Sequence, residues 1–126
     1  MHEGDVYAAL GAEGFGPLVA AFYRQIPEDP ILGPMYPEQD FVGAEERLRL
    51  FLRVRFGGPE DYLEQRGHPR LRMRHAPFAI DTRARDRWVQ LMETALEEVE
   101  PPAEVAETLR PFFAQVATFL INRRDP

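Results

Sequence analysis

Apolar residues recur along this chain at intervals of three and four, the period of helices that each bury one face. The clearest run is Phe15, Leu18, Val19, Phe22 and Ile26, which predicts a helix from about Gly14 to Ile26. Pro17 falls in its first turn, where a missing N–H costs nothing, and Pro27-Glu28-Asp29-Pro30 ends it. Ahead of it, Asp5 is placed to cap a short helix that reaches Leu10 and closes at Gly11. A third helix is expected from an Asp40 cap to about Phe56, with Ala44, Leu48, Phe51 and Leu52 inward. Its Glu45, Glu46, Arg47, Arg49 and Arg53 face solvent or a rim, and Gly57-Gly58-Pro59 stops it. Asp81 caps a fourth helix, to about Glu100, striped by Trp88, Leu91, Met92, Ala95, Leu96 and Val99 and broken by Pro101-Pro102. The last helix is expected from about 102 to 122. It should turn Val105, Leu109, Phe112, Phe113, Val116, Phe119 and Leu120 inward and kink at Pro111. No strand-like alternation and no internal repeat appears, so the expected class is all-α.

Residues 59–80 break this pattern. Pro59, Pro69 and Pro77 allow only one-turn helical pieces there, and so long a connector in a small domain is usually functional or disordered. Leu71, Met73, Phe78 and Ile80 argue for packing. Within it, Gly67-His68-Pro69-Arg70-Leu71-Arg72-Met73-Arg74-His75-Ala76-Pro77-Phe78 sets bulky apolar residues between cations around a lone His75. That mixture suits one neutral imidazole offered to a metal in an apolar slot, with cations meeting an anion at the rim. Haem has those properties: an apolar plate, an iron in need of an axial ligand and two anionic propionates. The pattern alone leaves His75 open between a metal ligand and a hydrogen-bonded structural histidine. Pro69 prevents one continuous helix from aligning His68 with His75, so a zinc pair fits poorly and His68 reads as scaffold. Tyr23, Tyr36 and Trp88 are each compatible with an inward polar role and with plain packing.

The bulk numbers narrow the classes. A chain of 126 residues with 44% apolar content makes one domain with a real core. A net charge of −6 argues against binding nucleic acid by electrostatics. There is no cysteine, which removes thiolate catalysis, iron–sulfur clusters and cysteine-ligated zinc. All fifteen basic residues are arginine, which excludes a Schiff-base lysine and a Walker-type phosphate loop. No signal-like N-terminus and no membrane-length apolar run is visible, so the expected location is cytoplasmic, with no integral membrane segment. Di-iron helix bundles need Glu three residues before His, and Gln65 and Arg72 stand there instead.

Phe22-Tyr23, Tyr36-Pro37, Ala44-Glu45-Glu46-Arg47-Leu48, Phe51-Leu52, Gly57-Gly58-Pro59, Gly67-His68-Pro69-Arg70-Leu71-Arg72, His75-Ala76-Pro77-Phe78 and Trp88, taken together and in order, closely resemble the bacterial group II truncated haemoglobins. The likeness covers nearly the whole chain and is strongest from Phe22 to Trp88. It departs at Gly11-Ala12, where the family usually carries a glycine pair. The resemblance implies a single truncated globin domain over residues 1–126, a two-over-two helical sandwich around haem b. It makes His75 the proximal iron ligand and Tyr23, Tyr36 and Trp88 the ligand-stabilising distal residues. Phe22, Ala44 and Leu48 would complete the distal pocket, and Arg47, Phe51, Leu71, Arg74 and Phe78 would contact haem. The implied function is reversible binding of dioxygen, nitric oxide and carbon monoxide with slow oxygen release. Such a site suits oxygen transport less than nitric-oxide dioxygenation or peroxidase-type reaction with peroxide, the former served by an unidentified reductase. The alternatives are a helical haem-based sensor or apolar-ligand module without catalysis, and a structural interaction protein.

Overall fold

Aspartate side chains fix two of the helix starts. Residues 5–11, 13–36, 40–56, 75 and 78–124 are described by the structure, a computed structural model. Among them run α1 (Val6–Leu10), α2 (Phe15–Tyr23), a 3-10 turn (Gly33–Met35), α3 (Phe41–Arg55), α4 (Thr82–Val99) and α5 (Ala103–Phe119). Asp40 accepts from the N–H of Gly43 at 3.0 Å to open α3, and Asp81 accepts from Ala84 at 2.9 Å to open α4. Both caps satisfy a donor that the first helical turn leaves unpaired. Asp5 does not cap α1. Its backbone is already helical (φ −87°, ψ −11°), and its side chain makes no cap bond; a cap residue normally stays outside helical geometry to fold its side chain back.

Two ends differ from the sequence expectation for the same kind of reason. α2 stops at Tyr23, and the chain tightens into i→i−3 bonds, Gln25 N–H to Phe22 at 3.1 Å and Ile26 N–H to Tyr23 at 3.2 Å. Pro27 follows and disfavours α geometry in the residue before it. α5 runs through Pro111 and ends at Phe119 rather than 122, because Asn122 is drawn off to bond Ile80. Phe119, expected inward, is 55% exposed. It lies at the edge of the stripe in the last turn, and Ala117 takes the buried place instead. Gly11 reverses the chain after α1 with a positive φ of 78°, a conformation glycine adopts without a Cβ penalty.

α2 packs on α3 and on α4, α4 packs on α5, and α1 rests on α5. The result is a two-over-two helical sandwich, with α2 and α3 as one pair and α4 and α5 as the other. Phe15, Phe22, Ile26, Leu52, Phe56, Met92 and Leu109 are the largest fully buried side chains between the layers. Gly33 lets the loop after α2 come close: a Cβ there would stand 2.8 Å from the carbonyl of Ile26. That approach sets the 3-10 turn and Tyr36 against the sandwich. Among the described residues no helix is long and apolar enough to cross a membrane.

Candidate functional site

Every layer of the sandwich contributes to one apolar cavity of about 540 Å³, a size within the range of roughly 300–1,000 Å³ typical of cofactor pockets. α2 supplies Tyr23, the loop and 3-10 turn supply Leu32, Met35 and Tyr36, and α3 supplies Ala44, Arg47, Leu48, Phe51 and Leu52. His75, Phe78 and Ile80 come from the segment leading to α4, then Ala84, Arg85 and Trp88 from α4 itself. Phe112, Phe113, Val116, Ala117 and Leu120 close it from α5 and its end.

The sequence candidates Tyr23, Tyr36, Trp88, Ala44, Leu48, Arg47, Phe51, Phe78 and His75 all line this cavity. Phe22 does not. It is fully buried behind the wall, 5.0 Å from the Tyr23 ring and 5.2 Å from the Trp88 ring, so it buttresses both polar side chains from the core. Leu71 and Arg74, expected at the haem, lie outside the described residues, as does His68. The α5 lining was expected to face inward, and apolar spacing is the same for a cavity wall and a core face.

The polar groups are few and near one another. The hydroxyls of Tyr36 and Tyr23 stand 3.5 Å apart, with their rings edge to face at 5.8 Å. Burial, then the neighbouring Tyr36 hydroxyl, pushes the Tyr23 phenol well above its ordinary value; the Arg47 cation opposes this only in part. Burial also raises Tyr36, against the Tyr23 hydrogen bond and Arg47. Both phenols therefore keep their protons at neutral pH and remain donors. Trp88 packs between Phe22 and Phe113, 5.7 Å from the latter. Its indole N–H has no hydrogen-bond partner among the described residues.

Among the described residues two cations reach the cavity, and they differ in commitment. Arg85 donates from Nε to Thr118 Oγ1 at 3.0 Å, from Nη2 to the Ala114 carbonyl at 3.3 Å and from Nη1 to Asp86 at 3.0 Å. Among the described residues Arg47 is held only by a 3.5 Å contact to the exposed Asp40, a surface pair of little energetic weight. Arg47 is thus the side chain with donors to spare for an anion at the rim.

One polar residue under the site gave no sequence signal beyond its place in a Pro-flanked turn. Asp29 is 5% exposed. Its Oδ2 accepts from Leu32 N–H at 2.9 Å and Ile31 N–H at 3.1 Å, and its Oδ1 from Arg87 Nε at 2.6 Å. The carboxylate thereby locks the loop that carries Leu32, Met35 and Tyr36 onto the helix that carries Trp88. Burial disfavours its charge, but the Leu32 N–H, the Arg87 guanidinium and the Ile31 N–H outweigh that and hold its carboxyl below the ordinary value of 3.8. A depressed folded pKa stabilises the fold fully above the unfolded value and loses that contribution as pH falls through the lower, folded one. Asp29→Asn turns an amide donor against either Arg87 or the backbone N–H pair. We expect a loss of about 2–3 kcal/mol at neutral pH and a flatter pH dependence below 3.8. Denaturant unfolding at several pH values checks both; unchanged stability at pH 7 would show that Asp29 does not lock the loop.

The donor set tests which cofactor the cavity suits. Among the described residues no three His, Asp or Glu side chains gather to hold a bare metal ion. One imidazole among the described residues in a large apolar cavity, with a weakly held arginine at its edge, fits an iron porphyrin instead.

The bacterial-like globin family model matches residues 5–122. The group 2 truncated haemoglobin YjbI of Bacillus subtilis is 34% identical over 119 residues, covering 94% of this chain and 89% of that protein. Among solved structures, the thermostable haemoglobin of Thermobifida fusca is 46% identical with a TM-score of 0.88, covering 93% of this chain and 96% of that one. The truncated oxygen-avid haemoglobin of Bacillus subtilis is 34% identical with a TM-score of 0.87, covering 93% and 98%.

Proposed function

We propose that this chain, which belongs to the bacterial-like globin family and is a group II truncated haemoglobin, binds dioxygen reversibly and releases it slowly. Its cofactor is haem b, and its place in the family makes haem-based oxygen binding its general activity. Slow release is the further step. The observation that carries it is the convergence of three donors, the Tyr23 and Tyr36 hydroxyls and the Trp88 N–H, on the cavity that His75 also lines. The oxygen avidity of the Bacillus subtilis haemoglobin, 34% identical, supports the same direction.

In this reading His75 would hold the haem iron and Arg47 would meet a propionate. When bound, haem iron supplies the site for dioxygen, nitric oxide and carbon monoxide. The chain's own part is to place donors where a diatomic ligand gathers negative charge, and to keep bulk water out with apolar walls. Leu48, Phe51 and Phe78 provide those walls, and the small Ala44 leaves room beside them on the α3 side. A hydrogen bond to a partly charged acceptor is worth about 1.5–3 kcal/mol, or roughly ten- to a hundredfold in release rate. Stopped-flow displacement of oxygen by carbon monoxide tests the proposal. The wild-type protein should release oxygen more slowly than a variant with Tyr23, Tyr36 and Trp88 all changed to Phe; equal rates would overturn it.

Slow release favours consumption of dioxygen over its delivery. Oxidation of nitric oxide to nitrate, with an unidentified reductase restoring ferrous iron, is the reaction the site suits first. A peroxidase-type reaction is the second, because polar groups beside the iron assist O–O cleavage. Single-turnover reaction of the oxygenated protein with nitric oxide, set against its turnover with peroxide, separates them.

A further inference from the structure

We propose that Asn122 is a positioning residue that holds His75 in place from the far end of the chain. The inference rests on the reading of His75 as the iron ligand. After α5 ends at Phe119, the chain turns so that Asn122 meets the segment leading from His75 to α4. Asn122 Nδ2 donates to the His75 carbonyl at 3.2 Å. Its Oδ1 accepts from the Ile80 N–H at 2.9 Å. Its own N–H donates to the Ile80 carbonyl at 2.8 Å, and the Arg123 N–H adds a second bond to that carbonyl at 3.0 Å. One carboxamide therefore spans both ends of the stretch between His75 and Ile80.

The side chain is specific for this task. A carboxamide carries a donor and an acceptor on one planar head, and the two ends of the stretch ask for one of each. Aspartate keeps the acceptor for Ile80 but has no N–H for His75. Glutamine is a methylene too long, and alanine offers neither group. The His75 carbonyl also accepts from the Phe78 N–H at 2.9 Å, so both of its lone pairs are used and its peptide plane is fixed. That plane, with the Phe78 ring edge-to-face at 6.0 Å, sets the direction from which the imidazole enters the cavity. Groups that orient a metal ligand from outside its coordination shell commonly change metal affinity by roughly 10–100-fold.

The experiment compares haem-loaded wild type with Asn122→Ala and Asn122→Asp, using Arg124→Ala, at an exposed neighbour, as control. Resonance Raman of the reduced, ligand-free protein reads the iron–histidine stretch. Transfer of haemin to excess apomyoglobin reads its retention. Both Asn122 variants should show a shifted and broadened iron–histidine band and haemin loss faster by roughly tenfold, and the control should match wild type. Asn122→Asp keeps the bond to Ile80, so it reads the His75 bond even where Asn122→Ala does not fold. A lower melting temperature with a wild-type iron–histidine band would reduce Asn122 to a structural role and overturn the proposal. An iron–histidine band that survives His75→Gly would overturn the reading of His75 itself, a separate outcome.

Discussion

Replacing His75 with glycine should abolish high-affinity haem binding, and imidazole added to the buffer should restore it. Burial in the apolar cavity of about 540 Å³ gives the porphyrin plate a place to sit, but gives the iron no bond. No other imidazole stands among the described residues, and the remaining cavity groups are poor substitutes. A phenol ligates iron well only as phenolate, and burial holds both Tyr23 and Tyr36 in the protonated form. Met35, on the turn just before Tyr36, offers a neutral thioether with a weaker hold on ferric iron. Losing an outer-shell partner typically costs roughly 10–100-fold in metal affinity, so losing the ligand itself should cost at least about a hundredfold. Haemin titration of the apoprotein measures it. Wild-type affinity and an unchanged ferrous spectrum in His75→Gly without imidazole would remove His75 from the iron.

The sequence made the frame readable because a helix advertises itself locally. All six residues of the α4 stripe have another stripe residue three or four positions away, and Asp40 and Asp81 stand at the helix starts where the structure finds their caps. Boundaries decided by tertiary contact were not readable. α5 looks apolar through Leu120, but the competing partner of Asn122 is Ile80, forty-two residues away. Asp29 sits in an ordinary turn sequence, and only the fold brings Arg87 to it, fifty-eight residues on. Apolar spacing says that a face is buried without saying whether it meets another side chain or a cofactor. For that reason the inward face expected for Phe112, Phe113 and Val116 did not show that they also line the cavity; Phe22, a pocket residue by the resemblance, lies behind the wall. Residue type alone left His75, Tyr23, Tyr36 and Trp88 open between site and packing roles; the ordered set of motifs, through its family resemblance, singled them out, and all four line the cavity.

Among the three donors, Trp88 should matter most. The Tyr23 and Tyr36 hydroxyls stand 3.5 Å apart and can partly satisfy each other. Either phenol can therefore turn toward the cavity when the other is removed, and each alone is partly redundant. Trp88 is half-buried at the cavity, and its N–H has no partner among the described residues. Its ring is held by Phe22 and Phe113 at 5.2 and 5.7 Å, so the N–H is presented without further ordering when a ligand arrives. Trp88→Phe keeps most of that aromatic packing and deletes the donor. Oxygen release should accelerate by roughly ten- to a hundredfold, the kinetic equivalent of about 1.5–3 kcal/mol, and Tyr23→Phe should have a smaller effect. Carbon monoxide carries less negative charge at its outer atom than dioxygen, so its release should change less in the same variant. Stopped-flow dissociation of both gases from both variants decides the matter. A wild-type oxygen rate in Trp88→Phe, or equal acceleration for the two gases, would mean that the indole acts by filling space and that the phenols alone hold the ligand.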